Sequence, residues 1–433
     1  MSSFQSVATQ YVAWDPNEST KAELQSLIDS NTPESNAQLE ALLGKRIAFG
    51  TAGLRGPMGV GYCRMNELVV LQTMQGLVRY LQAQLGKEEV ARRGVVIGYD
   101  HRKFQNLTSA SFAYISAAVL IHSGVKVYML ENNSATPFVA YGVLQLNCCA
   151  GIMVTASHNP KRDNGYKVYW GNGSQIIPPH DAGIAAAIDR DMAPWTAYKY
   201  TAADVYSHPQ TVVEDVTASL TASYYTRMSS LCLRKEQNAQ SSARIAYTAM
   251  HGIGHQWCVR AFEAFGHQPF IAVASQRDAD PEFPTVSFPN PEEKGALNES
   301  MRFANANNCS IIIANDPDAD RLGIAERRAG SDDWSILTGN EIGVLLGHYK
   351  MMQWKAQAAK DTLKHGVSAS AAVCASVVSS RMLKKVAVTE GIQYNDTLTG
   401  KRNPGNPLLV VPSCSSWVLS PTPLLCAYCF LYH

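Results

Sequence analysis

In the segment NDPDADRLG, Asp316, Asp318 and Asp320 stand at alternate positions directly after the apolar run IIIA. Carboxylates spaced this way can converge on one hard cation, and Asp oxygens completed by a phosphate and water suit Mg²⁺. A calcium loop of the EF-hand kind is excluded. Its sixth position requires glycine and its twelfth a bidentate glutamate, where this sequence has Arg321 and Arg327. A plain solvated turn is the competing reading, but like charges this close are costly without a cation.

A second cluster lies in GIMVTASHNPKRDNGYKVYW, where an apolar run meets a Ser-His-Asn-Pro corner and then resumes a strand pattern. Taken alone, Ser157 reads as a capping or turn serine ahead of Asn-Pro. It is not a G-x-S-x-G nucleophile, because Thr155 and Asn159 occupy the glycine positions. Its company shifts the reading toward chemistry: His158 is adjacent and Lys167 follows in GYKVY. A third polar cluster, FGTAGLRG, carries Arg55.

In open α/β sheets, ligands gather at the carboxyl ends of strands, where loops and helix N-termini present free N–H groups. The sequence supplies such a scaffold. GVVIGYD, VKVYML and GIMVTAS read as buried strands and LTSASFAYISAAVLIHSG as a helix closed by Gly124. The pattern restarts with the strands ARIAYTAM, QPFIAVA and CSIIIAND and the helix HQWCVRAFEAFG. A weaker third unit begins near Asn340, with EIGVLLGHYKMMQ helical, SASAAVCAS extended and SRMLKKVAVTEG helical. An α/β architecture repeated about two and a half times is predicted. Ahead of it, STKAELQSLIDS predicts a polar helix started by its Ser or Thr.

Composition removes several function classes. A sequence 46% hydrophobic and 17% charged can bury real cores, so disorder is not the default. Lys+Arg 37 against Asp+Glu 36 creates no global field for nucleic acid or a membrane surface, so an anionic ligand must be held by local charge. No uninterrupted apolar span of about 18 residues occurs, and the apolar C-terminal tail is broken by Pro412, Pro421 and Pro423. The scattered cysteines and an N-terminus without a signal region lead us to expect a reducing cytoplasm. His251 and His255 in HGIGH are four apart with glycines between them at a strand-to-helix turn, which disfavours a zinc pair. Glycines near Gly59 and Gly171 lack the third glycine of a dinucleotide fingerprint, no Walker A motif occurs, and Cys426 with Cys429 reads as chance spacing.

Taken together, FGTAGLRG, TASHNP with GYKVYW, AMHGIG and NDPDADR resemble the α-D-phosphohexomutase superfamily, most closely its vertebrate-type phosphoglucomutase and phosphopentomutase branch. The resemblance runs from roughly Ala41 to Gly400. It implies repeated α/β domains of the phosphohexomutase type, two complete and a third partial, with the fourth domain absent and the sequence truncated at its C-terminal end. The expected bounds are 1–40 for an N-terminal helical extension, 41–205 for domain I with its phosphoserine and 206–335 for domain II with its metal loop. Residues 336–403 would form a partial domain III and 404–433 a non-homologous tail.

The resemblance also implies roles. Ser157 would carry a phosphoryl group whose oxygen joins Asp316, Asp318 and Asp320 around one Mg²⁺ per molecule. Arg55 would steady a phosphate, His158 and Lys167 would orient groups and move protons, Arg321 would add a positive contact and Thr399 would open a sugar-contacting loop. The implied activity is an isomerase that interconverts a sugar 1-phosphate and its 5- or 6-phosphate, on ribose, deoxyribose or glucose, with a sugar bisphosphate as intermediate and activator. Without a clamp on the substrate's distal phosphate, weak or no turnover is expected, and exposed third-domain surface is expected to bring poor solubility or partner binding. The rivals are an inactive isoform that binds phosphosugars or a full-length relative, and a glucose 1,6-bisphosphate synthase. An aspartyl phosphatase is disfavoured, since Pro317-Asp318-Ala319-Asp320-Arg321 lacks the Thr or Val that usually follows its Asp pair.

Overall fold

The computed structural model describes residues 3–51, 53–209, 212–365, 372–397 and 417–419. The protein divides into two compact units, Met1–Thr221 with Ala279–Phe288, and Ala222–Asp278 with Pro289–His433.

In the first unit, Leu54–Pro57 (β1), Val95–Tyr99 (β2), Val127–Leu130 (β3), Ala150–Val154 (β4), Asp163–Trp170 (β5) and Val213–Asp215 (β6) form one sheet ordered β1-β5-β4-β2-β3-β6. Strands β4, β2, β3 and β6 are parallel. Every residue of β2, β3 and β4 is buried, which explains their continuous apolar runs. The margin differs: β5 runs antiparallel to β4, and β1 antiparallel to β5.

Helices cover this sheet where the sequence lets them start and approach. Asn66 accepts from Val69 N at 2.9 Å and opens the helix Glu67–Leu85, satisfying a donor that the first turn leaves over. Within that helix, a Cβ on Gly76 would meet Ile188 N at 2.7 Å, so the missing side chain lets the helix His180–Arg190 pack close. Thr108 and Ser111 form a capping box for the helix Ser109–His122.

The N-terminal helices Ser3–Trp14, Glu18–Ser30 and Pro33–Leu43 contribute Ala8, Tyr11, Leu24, Leu39 and Leu43 to the same core. Tyr11 lies edge-on to Tyr62 at 5.0 Å and accepts from Gly61 N. These helices are therefore built into the unit. The second one is capped by Asn17, which accepts from Ser19 N and Thr20 N, rather than by the Ser or Thr of STKAELQ.

The second unit holds Ile245–Thr248 (β7), Ile271–Ala272 (β8), Ile311–Ala314 (β9), Gly323–Arg327 (β10) and Trp334–Ile336 (β11), ordered β8-β7-β9-β10-β11. Here β8, β7 and β9 are parallel, while β10 and β11 return antiparallel. A smaller sheet sets Ala372–Ser376 (β12) between parallel Gln393–Thr397 (β13) and antiparallel Trp417–Leu419 (β14). It accompanies the helices Gly339–His365 and Met382–Thr389, a partial third α/β element. Strand β14 falls in the tail whose sequence shows no strand alternation; its Trp-Val-Leu composition favours extended backbone once β12 offers an edge.

The two larger sheets share one device. A parallel strand runs into a sharp turn that sends the backbone back as its antiparallel neighbour, β4 into β5 around Ser157 and β9 into β10 around Asp316–Asp320. A left-handed non-glycine residue sits in each turn, Ser157 at φ 52° and Ala319 at φ 55°. No helix among the described residues is long and apolar enough to cross a membrane.

Candidate active site

Ser157 sits just beyond the carboxyl end of β4 and is 2% exposed. Its N–H donates to Thr155 Oγ1 at 2.9 Å, and Asn159 N–H donates to the Ala156 carbonyl at 3.0 Å, so the corner is closed by short-range bonds. Left-handed backbone is costly for a residue with a side chain and persists only where surroundings enforce it.

The enforcing group is Arg102, a residue the sequence reading passed over. Its guanidinium is fully buried and donates to four carbonyls of the corner. Nη2 reaches Ser157 O at 2.6 Å and Asn159 O at 2.8 Å, while Nη1 reaches Pro160 O at 3.0 Å and Asp163 O at 3.1 Å. Nε faces Asp100 Oδ2 at 3.5 Å, with both side chains inaccessible to solvent. Asp100 is itself fixed, accepting from Arg102 N and from Ser109 Oγ at 2.6 Å. A planar fork of five N–H groups suits this arrangement of converging acceptors. The signal was present in YDHR, an Asp-x-Arg at the carboxyl end of the buried strand β2.

Strand register brings Arg55 and Lys167 beside this corner. Arg55 on β1 pairs with Gly165 on β5, and Lys167 lies two residues along β5, so the two fall on one face of the sheet. Arg55 Nη1 donates to Asn159 Oδ1 at 3.3 Å, and Lys167 is 4% exposed. Gly53 in FGTAGLRG has φ 75° and lies against the Tyr166 carbonyl, where a Cβ has no room. His158 packs edge-on to Phe288 at 5.5 Å. The first unit thus gathers Arg55, Ser157, His158 and Lys167. Thr399 lies outside the described residues.

In the second unit, Asp316, Asp318 and Asp320 are all buried, and one carboxylate oxygen from each lies within 4.8 Å of the others. Asp316 Oδ1 accepts from Asp320 N at 3.2 Å and Arg321 N at 2.9 Å, which curls the turn around it. Arg321 Nε lies 3.9 Å from Asp316 Oδ2. Desolvation, then the charges of Asp318 and Asp320, hold the Asp316 carboxyl well above the usual carboxylate range, against the pull of Arg321. Buried acidic oxygens that repel one another in this way fit a small divalent cation, and an all-oxygen set suits Mg²⁺.

AMHGIG buttresses that turn. Ile253 N donates to Pro317 O at 3.0 Å, and a Cβ on Gly252 would meet Pro317 O at 2.6 Å. Met250 and His251 are left-handed at φ 49° and 60°. His251 N bonds to Gln276 O, while the His255 ring neighbours Tyr247 and Phe270. Among the described residues, the cluster with metal-ligand geometry is the Asp trio, and neither histidine belongs to it.

These sheets and turns coincide with known domain patterns. Residues 46–194 match the family model described as phosphoglucomutase/phosphomannomutase, alpha/beta/alpha domain I, and residues 222–330 match alpha/beta/alpha domain II of the same family, together more than half of the sequence. The chain belongs to the α-D-phosphohexomutase superfamily. It is 43% identical to phosphopentomutase of Mus musculus, covering 92% of this sequence and 62% of that protein. It is 37% identical to glucose 1,6-bisphosphate synthase of Homo sapiens, covering 90% and 61%. A phosphoglucomutase/phosphomannomutase family protein from Burkholderia thailandensis has the same fold at 20% identity, with TM-score 0.61 over 82% of this sequence and 67% of that one. The chain spans about three-fifths of the length of the two curated relatives.

Proposed function

We propose that the protein is a phosphosugar mutase that moves a phosphoryl group between Ser157 and a pentose or hexose phosphate. The observation that carries this reading is the Ser157 corner, a buried serine in left-handed backbone whose loop carbonyls are held by a buried arginine. Such expense of conformation around one hydroxyl points to a reacting atom.

The residues would divide the work as follows. Asp316, Asp318 and Asp320 would hold Mg²⁺, which when bound neutralises charge on a phosphoryl group in transit. Ser157 carries the phosphoryl group. Arg55 meets phosphate oxygens, which phosphoryl transfer requires because positioning and charge compensation do most of the work. Lys167, buried on β5, is the candidate to exchange a proton with the sugar hydroxyl, assisted by His158, an effect of about 10²–10⁴-fold. Arg321 and Thr399 complete the proposed sugar-phosphate contacts. Ribose or deoxyribose 1-phosphate leads as substrate because of the 43% identity to a phosphopentomutase.

The test has two parts: intact mass and peptide mapping of the purified protein for phosphate on Ser157, and conversion of ribose 1-phosphate or glucose 1-phosphate with trace sugar bisphosphate. Phosphate on Ser157, lost in Ser157→Ala together with conversion, supports the reading. Neither phosphate nor conversion in the wild-type protein would refute it. The 37% identity to a glucose 1,6-bisphosphate synthase favours a second reading, recognised if a bisphosphate accumulates in place of the isomerised monophosphate.

A further inference from the structure

The segment Ala279–Phe288 lies inside the span of the domain II family model, yet it folds as part of the first unit. The backbone enters it from Asp278 and leaves it at Pro289, both in the second unit, so it forms a strap on the unit that carries Ser157.

Its contacts converge on the serine corner. The Phe283 ring covers the Arg102 guanidinium, with Cζ 5.3 Å from the ring centroid, and packs on His101 at 5.4 Å. Glu282 Oε2 pairs with Lys161 Nζ at 2.6 Å, and Phe288 packs on His158. Phe283 is 4% exposed and adopts φ 47° immediately before Pro284. A bulky residue that precedes proline is a poor occupant of left-handed backbone. Local bonds maintain it: Phe283 N donates to Asp280 O, Val286 N to Phe283 O, and Glu282 N to Asp280 Oδ1.

We infer that Phe283 is a positioning residue for Ser157, acting through Arg102. The guanidinium holds four loop carbonyls, and its hold depends on exclusion of water that would compete for the same N–H groups. Phe283 supplies that exclusion on the ring-covered face and adds attraction between cation and π-face. The strained backbone of the strap is what aims the ring. Whether Ser157 receives phosphate rests on the proposed function; that the strap orders its loop does not.

Hydrogen exchange tests the ordering directly. In Phe283→Ala, amides of Ser157, Asn159 and Asp163 should exchange at least about 10-fold faster, with β4 amides unchanged and Phe283→Leu restoring most of the protection, as expected for local opening. Unchanged protection at the corner in Phe283→Ala, or loss spread evenly over the sheet, overturns the inference. The chemical consequence is read as the rate of Ser157 phosphorylation by ribose or glucose bisphosphate, followed by intact mass. A fall of about 10-fold in Phe283→Ala, recovered in Phe283→Leu, corresponds to loss of transition-state positioning, whereas an unchanged rate with a loosened corner overturns the positioning role. A wild-type protein that takes up no phosphate removes Ser157 as the acceptor, and the exchange measurement still decides the strap.

Discussion

Arg102 and Ser157 are joined through the main chain: the guanidinium Nη2 donates to the serine carbonyl at 2.6 Å. The side chain is thereby left to other partners while its backbone is clamped, and the geometry of the hydroxyl becomes a property of one buried arginine.

Replacing that arginine should therefore act on the corner first. Arg102→Lys keeps the charge but loses the fork, since one ammonium cannot serve four carbonyls spread along a loop. We expect Ser157 phosphorylation to slow by about 10–100-fold, because each charge-assisted hydrogen bond contributes about 1.5–3 kcal/mol. Arg102→Ala leaves the Asp100 carboxylate buried without its cation and should cost about 3–5 kcal/mol in urea unfolding.

The acidic turn predicts opposite signs for stability and metal affinity. Asp318→Asn removes one of the charges that repel Asp316. The metal-free protein should melt higher than wild type, while Mg²⁺ affinity measured by calorimetry falls by at least about 10-fold. Chelation of wild type should lower its melting temperature only if metal had been bound. A destabilised metal-free Asp318→Asn would show that repulsion does not dominate this turn.

Gly252 offers a way to disturb the same turn without touching a ligand. Any side chain there meets Pro317. Gly252→Ala should weaken Mg²⁺ binding while leaving the far-ultraviolet spectrum of the fold intact, because overpacking against backbone must displace the turn and typically costs about 1–3 kcal/mol. Unaltered Mg²⁺ affinity would show that the AMHGIG loop does not set the turn's shape.

Asp15 links stability to pH. Burial raises its pKa to about 6, with Glu67 adding to the rise and hydrogen bonds from Thr20 and Asn17 opposing it. The folded state holds this proton more tightly than the unfolded polypeptide, whose carboxyl titrates near 3.8. This contribution to stability is therefore fully present below the unfolded value and is lost as pH rises through about 6. Its size is about 1–3 kcal/mol. Asp15→Asn should flatten the part of the stability curve between these limits, measured by urea unfolding at a series of pH values.

Much of this site was legible in the sequence because it sits at the ends of strands that advertise themselves. Strands β2, β4 and β9 are short apolar runs that stop at polar residues, and the Asp316 and Ser157 clusters follow two of them directly. The antiparallel return of β5 and β10 was not legible as topology, since pairing depends on partners distant in sequence. Arg102 follows β2 in YDHR, a position that marks a strand end but not its partners. Only the fold reveals that four carbonyls belonging to residues 157–163 close around it. Phe283 was hidden more completely, in the proline-rich segment SQRDADPEFPTVSFPNPEE, whose composition gives a loop but no destination.

Heredity and folding cut this protein at different places. A gene fragment ending with the first family span, at residue 194, would encode the serine and the arginine but not the aromatic cap over them. Exchange of whole modules between relatives would therefore transplant a foreign strap onto each serine corner, and compatibility at Phe283 would decide which chimaeras keep that corner ordered.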